Sequence, residues 1–375
     1  MPAPTIVFTG GGTGGHVYPG LAVIGALREL GFDGRIAWLG SKKESDRRAV
    51  EEAGLEYLAL PSGKLRREAS LENLADAFRV LAGYAAARRE LKRLKPALLF
   101  SKGGYVSVPP CAAAASLGIP YITHESDLTP GLATRLNARR ALRVLLSYEE
   151  TRALLPAAAR ERALAAGNPV RASIRGGDRA RGRAILGVPE GLPVIFFLGG
   201  SQGARQVNEL VEAALPRLVE SAFVVHQAGA GSAAGTAAAD AAAAAGATPR
   251  YKRYDYIREE MPDLLAAADL VVGRSGAGTL WECAALAKPM LLVPLCGAGT
   301  RGDQVDNAAL FARSGAAISL VGPEATPGRV AEEALGLLAD PARLAAMGAA
   351  AHALAGRDAA SEIAGLILRT IGEAQ

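Results

Sequence analysis

The sequence predicts an α/β protein built from two Rossmann-like halves, and three observations carry that prediction. Short β-rich runs alternate with helical patterns from end to end, which is the signature of parallel α/β architecture. The segments FTGGGTGGHVYPGLAVIGAL from Phe8 and FLGGSQGARQVNELVEAAL from Phe197 both read as strand, glycine turn and helix, an internal echo of a duplicated unit. Between the two series lies Gly167-Asn168-Pro169-Val170-Arg171, whose turn chemistry marks a hinge. At 375 residues, half of them hydrophobic, the chain exceeds one ordinary core and suits two. The expected domains are 1–166, 167–345, and a C-terminal helical segment 346–375 that packs back toward the first.

In chain order, the strands of the first half are Thr5–Thr9, Arg35–Leu39, Ala97–Ser101, Tyr121–His124 and Val144–Ser147. Those of the second are Val194–Leu198, Phe223–Gln227, Leu270–Val272 and Met290–Pro294. The Ala-rich stretch Ala228 to Ala247 reads as a surface helix with a flexible approach. Met1 leads almost directly into the first strand, and no run reaches the roughly 18 uncharged apolar residues that span a bilayer, so a cytosolic chain is expected. Cys111, Cys283 and Cys296 have neither C-x-x-C nor His-paired spacing and read as reduced thiols. The net charge of +5 favours anionic partners.

Gly10, Gly12 and Gly15 satisfy G-x-G-x-x-G after a strand and before the helical pattern Leu21 to Leu30, which raises the question of a dinucleotide. The second strand answers it poorly. A nicotinamide site wants an acid there for the ribose hydroxyls, whereas Ile36–Leu39 runs into Gly40-Ser41-Lys42-Lys43 and Glu44 follows two cations. No G-x-x-x-x-G-K-[ST] occurs, so a P-loop is excluded.

A better nucleotide site lies at 270–295, again strand, glycine turn, helix and strand. Gly276 and Gly278 let the backbone approach a ligand, and the following helix offers unpaired N–H groups and its positive end to a pyrophosphate. Thr279 and Glu282 are three residues apart and share a helix face. The Glu282 carboxylate can accept from both hydroxyls of a ribose; compensation of the helix dipole is the competing role. Asp303 and Gln304 follow the next strand and suit vicinal sugar hydroxyls. No D-x-D pair exists to hold a metal on a diphosphate, and His124-Glu125 does not continue into H-E-x-x-H. Charge on a departing diphosphate therefore falls to helix dipoles and to Arg171 or Arg274.

Taken together, GGGTGGHVYPGLAV, GKLRR, SKGGYVSVP, GIPYITHESDLTPGLA, GNPVR, LGGSQGARQVN, RSGAGTLWE and RGDQVDNA resemble the MurG family, in order from about residue 5 to 320. The resemblance implies a GT-B fold, with two Rossmann-like domains whose parallel sheets face across a cleft. It implies inverting transfer of N-acetylglucosamine from UDP-N-acetylglucosamine to the 4-hydroxyl of the muramoyl sugar of lipid I, giving lipid II. No cofactor, metal or nucleic acid is implied. Donor residues carried over by motif are Arg171, Ser201, Arg274, Gly278, Thr279, Glu282, Asp303 and Gln304, with the backbone near Ile257 facing the uracil. Acceptor residues are Thr13, Gly14, Gly15, Tyr105 and Glu125, the first glycine loop cradling the acceptor's diphosphate. His16 is the first choice of general base and Asp127 its competitor; Glu125 has the alternative role of ordering its own loop. Many members read His-Glu-Gln-Asn where this chain has His124-Glu125-Ser126-Asp127, and paired glutamines where it has Asp303-Gln304. Another GT-B transferase acting on a lipid, an epimerase of the same architecture and a non-catalytic cell-wall scaffold are the alternatives.

An acceptor with a polyprenyl tail calls for docking on an anionic membrane at the inner face of the cell membrane. If Leu71 to Lys95 is one helix, Leu74, Phe78, Leu81 and Ala85 share a face nearly opposite to Val80, Tyr84, Ala87, Leu91 and Leu94, and continue into Arg89 and Lys92. A break at Gly83 would turn both stripes into ordinary core.

Overall fold

The structure, a computed structural model, describes residues 4–63, 71–199, 204–229, 232, 250–297 and 300–373; the side chains of 71–75 are outside that description. Ser201, the side chain of Leu74, residues 64–67 of the GKLRR motif and most of the Ala-rich stretch therefore lie outside the described residues. The chain divides into two compact units, residues 1–171 with 357–375, and residues 172–356.

The first unit is built on a seven-stranded sheet in the order β3-β2-β1-β4-β5-β6-β7. Its strands are β1 (Ile6–Thr9), β2 (Ile36–Gly40), β3 (Glu56–Ala59), β4 (Leu98–Ser101), β5 (Tyr121–Glu125), β6 (Arg143–Leu146) and β7 (Ala163–Ala165), and every pairing is parallel. Strands covered on both faces need apolar side chains on both, and Ile6, Val7, Phe8, Leu98, Leu99 and Phe100 are all fully buried. Phe8 stacks on Trp38 and tilts against Phe100, with centroids 6.0 and 5.2 Å apart. The last helix, Ala359–Glu373, packs on the first, Gly14–Glu29, and adds Ile363, Ile367 and Ile371 to that core.

The second unit carries a six-stranded parallel sheet in the order β10-β9-β8-β11-β12-β13. The strands are β8 (Val194–Leu198), β9 (Phe223–Gln227), β10 (Tyr251–Tyr254), β11 (Leu270–Gly273), β12 (Met290–Leu292) and β13 (Ala317–Ser319). In both sheets the strand order reverses beside the first strand, between β1 and β4 and between β8 and β11. Open parallel sheets bind ligands at the carboxyl ends of strands at such a reversal. Both glycine motifs that the sequence singles out lie there.

Helix Leu71–Leu94 runs uninterrupted through Gly83. A Cβ at Gly83 would stand 2.2 Å from the Pro61 carbonyl oxygen, so glycine here permits close approach of the 61–63 segment. Ala87, Leu91 and Leu94 enter the core, while Phe78 and Leu81 are 66% and 64% exposed. The two stripes are thus one inner and one outer face of a single helix. Among the described residues no helix is long and apolar enough to cross a membrane. Cys111 and Cys283 are free, buried thiols, and burial pushes that of Cys111 up to about 12.

Candidate active site

At the first reversal, β1 ends at Thr9 and the chain turns through Gly10-Gly11-Gly12. Gly12 has φ +88, and a Cβ there would lie 2.8 Å from Cε1 of Tyr105, so only glycine fits. The Gly12 N–H donates to Oδ2 of Asp46 at 2.6 Å, Ser41 Oγ donates to the same oxygen at 2.9 Å, and Lys43 Nζ donates to the Gly12 carbonyl at 3.1 Å. Asp46 is buried, 2% exposed. A dinucleotide-binding unit uses an acid after its second strand to hold a ribose; here the acid after that strand turns inward and holds the loop itself. The sequence alone points to Glu44 and not to Asp46, because nothing in its spacing shows that helix Glu44–Glu52 aims Asp46 at the glycines.

Thr13 is the N-cap of helix Gly14–Glu29, in extended conformation and without a side-chain capping bond. Thr13 and Gly15 are exposed, and Gly14 and His16 partly so. From the other side of the reversal, the loop after β4 runs beneath His16: a Cβ on Gly104, φ +75, would stand 2.8 Å from His16 Cδ2 and 3.1 Å from its Nε2. Tyr105 follows, its phenol pushed up chiefly by burial. His16, Tyr105 and the glycine loop are thereby brought together.

The end of β5 supplies His124-Glu125-Ser126-Asp127. Oε1 of Glu125 accepts from the N–H groups of Ser126 at 2.9 Å and Asp127 at 3.1 Å, and Oε2 accepts from Gly131 N–H at 3.0 Å. Both carboxylate oxygens order the 125–131 loop. Asp127 stands on that loop, partly exposed. Beneath it Lys102, 1% exposed, donates to His124 Nδ1 at 2.9 Å and to Ser126 Oγ. Its ammonium is pushed down to about 8, first by burial, with Glu125 and Asp127 opposing that shift. The His124 ring is held well below the usual histidine range by burial and by that cation.

Arg171 closes the first unit, its guanidinium 4.8 Å from the ring centre of Tyr18, two residues beyond His16.

In the second unit, β11 ends at Gly273. Arg274 Nη1 donates to Gln206 Oε1 at 2.9 Å and to the Val293 carbonyl at 3.0 Å, which spans the carboxyl ends of β11 and β12; burial lowers this guanidinium. Buried Ser275 donates through Oγ to the Gln304 carbonyl at 2.7 Å, and Asn307 Nδ2 donates to the Ser275 carbonyl at 3.3 Å. These bonds bring the starts of helices Ala277–Ala285 and Asp303–Arg313 together. Gly276 is the N-cap of the first, with no side-chain capping bond. Apart from the adjoining residues and the helix's own backbone, no described atom lies within 4 Å of where a Cβ would stand on Gly276 or Gly278. Thr279 and Glu282 are partly exposed on that helix. Asp303 pairs with Arg301 at 3.0 Å, and Gln304 Oε1 accepts from Leu295 N–H at 2.9 Å. Ile257 is buried and its N–H donates to Gln227 Oε1 at 3.2 Å, so its amide is engaged by a side chain at the carboxyl end of β9. Gln206 and Gln227 were not singled out from the sequence; a lone glutamine carries no pattern.

Residues 6–146 match the glycosyltransferase family 28 N-terminal domain and residues 194–363 the glycosyltransferase family 28 C-terminal domain. The chain is 46% identical over 333 residues to the UDP-N-acetylglucosamine--N-acetylmuramyl-(pentapeptide) pyrophosphoryl-undecaprenol N-acetylglucosamine transferase of Treponema denticola, covering 86% of this chain and 85% of that protein. To the enzyme of the same name from Lachnospira eligens it is 41% identical over 310 residues, covering 83% and 84%. The crystal structure of Acinetobacter baumannii MurG superposes with a TM-score of 0.73 at 26% identity, covering 98% of this chain and all of that one. With two parallel-sheet Rossmann-like units of the GT-B kind and these relatives, the chain belongs to the MurG family of glycosyltransferase family 28.

Proposed function

We propose that this chain transfers N-acetylglucosamine from UDP-N-acetylglucosamine to lipid I, and that its two glycine motifs divide the substrates between them. The observation that carries the division is their difference in finish. The loop at Gly12 already has its N–H taken by Asp46 and its open side filled by Tyr105, which leaves no place for a nucleotide's ribose. The turn at Gly276–Gly278 is open and, like the helix after the first loop, starts with no side-chain capping bond, which suits a pyrophosphate. Glu282 holds the ribose diol, Thr279 and Arg274 meet the diphosphate, and Asp303 and Gln304 read the sugar. Ser201 belongs to the same donor set by motif.

On the acceptor side Thr13, Gly14, Gly15 and Tyr105 face the diphosphate of lipid I. His16 takes the proton of the attacking 4-hydroxyl as UDP leaves, and its imidazole suits that task near neutral pH. Direct displacement inverts the anomeric centre, and one base suffices. Asp127 assists by position, and Glu125 orders the loop that carries it. The outer face of helix Leu71–Leu94, with Phe78 and Leu81 beside exposed Arg89 and Lys92, lies on anionic lipid at the inner face of the membrane. Incubation with UDP-N-acetylglucosamine and a lipid I analogue tests the whole reading: glycosylated analogue and one UDP per transfer are expected. Release of UDP without a disaccharide product would overturn it.

A further inference from the structure

Lys102 has no part in the reaction just described, yet it is a fully buried cation at the strand reversal. Its Cβ lies against the glycine loop, 3.2 Å from where a Cβ on Gly10 would stand. An ammonium has only hydrogens to offer, so the contact of 2.9 Å to His124 Nδ1 makes that nitrogen an acceptor. The ring then carries its proton on Nε2, which donates to the Gly167 carbonyl at 2.8 Å. A second branch runs through Ser126 Oγ, which accepts from Lys102 and donates to Asn168 Oδ1 at 3.2 Å. Both branches end on the 167–168 segment, three residues before the Arg171 guanidinium that lies over Tyr18. On its other side, Lys102 continues into Gly103-Gly104, which passes beneath His16.

We infer that Lys102 is a positioning residue for His16: one buried cation fixes the His124 tautomer, the Ser126–Asn168 bridge and the Gly103–Gly104 loop, and so frames the base from two sides. The inference rests on the proposed role of His16. Titratable groups facing this cluster are Glu125 and Asp127, whose carboxylates favour the ammonium, and His16, which with Lys102 disfavours charge on His124. Satisfied buried networks of this kind rigidify their surroundings.

Two measurements test it. The chain has four histidines, and in a 15N-edited spectrum assigned with His124→Gln, the His124 ring should show Nε2–H and an unprotonated Nδ1 at about pH 6–7, below the titration of Lys102. An Nδ1–H tautomer, or an imidazolium in that range, would overturn the network whether or not the protein is a transferase. The second is kinetic. Lys102→Met should lower kcat about tenfold with little change in KM for either substrate, and should lower it no further in a His16→Ala background, since residues acting through one another are not additive. Equal losses in both backgrounds, or an unchanged kcat, would overturn the inference. Should Lys102→Met fail to fold, Ser126→Ala cuts only one branch and should show the same dependence on His16 at smaller amplitude. If His16→Ala itself keeps full turnover, it is the functional reading that fails, and the histidine spectrum still judges the network.

Discussion

The glycine loop after β1 and the glycine turn after β11 follow the same local pattern of buried parallel strand, glycines and helix, yet one is closed and the other open. Around the first, Asp46, Ser41, Lys43 and Tyr105 hold the backbone, and Gly12 and Gly104 have φ values of +88 and +75 with side chains pressed against them. Around the second, Gly276 and Gly278 meet no described atom where a Cβ would be, and the polar side chains nearby brace the helix starts from behind. A glycine motif specifies a backbone path. What binds there is decided by residues far away in sequence that fill the motif or leave it empty.

The largest effect expected from breaking this comparison is at His16. His16→Ala should lower kcat by roughly 10²–10⁴ with a much smaller change in donor KM, because general-base assistance acts in the transition state; steady-state kinetics with both substrates varied would show it. Asp127→Asn should be mild beside it. The reverse ranking would exchange the two roles.

Glu282→Ala, on the open turn, should act on the donor alone. Loss of hydrogen bonds to an ordered diol costs on the order of 1–3 kcal/mol, so donor KM should rise roughly 5- to 150-fold while acceptor KM stays put. An unchanged donor KM in a folded variant would remove Glu282 from the site.

A stability measurement sharpens the same contrast. Gly12→Ala drives a methyl against Tyr105 at a positive φ and should destabilise by about 1–3 kcal/mol in chemical unfolding. Gly276→Ala meets nothing and should stay within about 0.5 kcal/mol of the parent, while still raising donor KM. Equal destabilisation by both would mean that the second turn is filled as the first is.

The smallest effect on chemistry is expected at the outer face of helix Leu71–Leu94. Phe78→Asp with Leu81→Asp should weaken sedimentation with anionic vesicles and leave turnover of a short-chain, water-soluble acceptor intact, because both side chains are mostly exposed. A fall in melting temperature would show instead that the face is packed.

How much of this was legible in the sequence follows from burial. The strands read from apolar runs were the inner ones, where both faces are covered and the signal is continuous. Glu56–Ala59, Ala163–Ala165, Tyr251–Tyr254 and Ala317–Ser319 carry no such run, and each is an outer strand of its sheet, short and only partly buried. An outer strand is stabilised from one side and can be built from Glu-Tyr-Leu-Ala or Tyr-Lys-Arg-Tyr without a recognisable pattern. The helix at 71–94 is readable as two stripes, but the reason for Gly83 is the close approach of Pro61, a contact no local pattern announces. At the site, the glycines, His16 and Glu282 stand in motifs. Asp46, Lys102, Gln206 and Gln227 do not, since what matters about them is a partner 22 to 68 residues away.

The central claim is that the nucleotide belongs to the open turn of the second unit and not to the closed loop of the first. Hydrogen–deuterium exchange with and without saturating UDP tests it directly, because a diphosphate on a helix N-terminus protects the amides that bind it. The account predicts slowed exchange in peptides covering Arg274–Glu282 and Asp303–Gln304, with Gly10–His16 unchanged. Protection of Gly10–His16 with none at Arg274–Glu282 would contradict it.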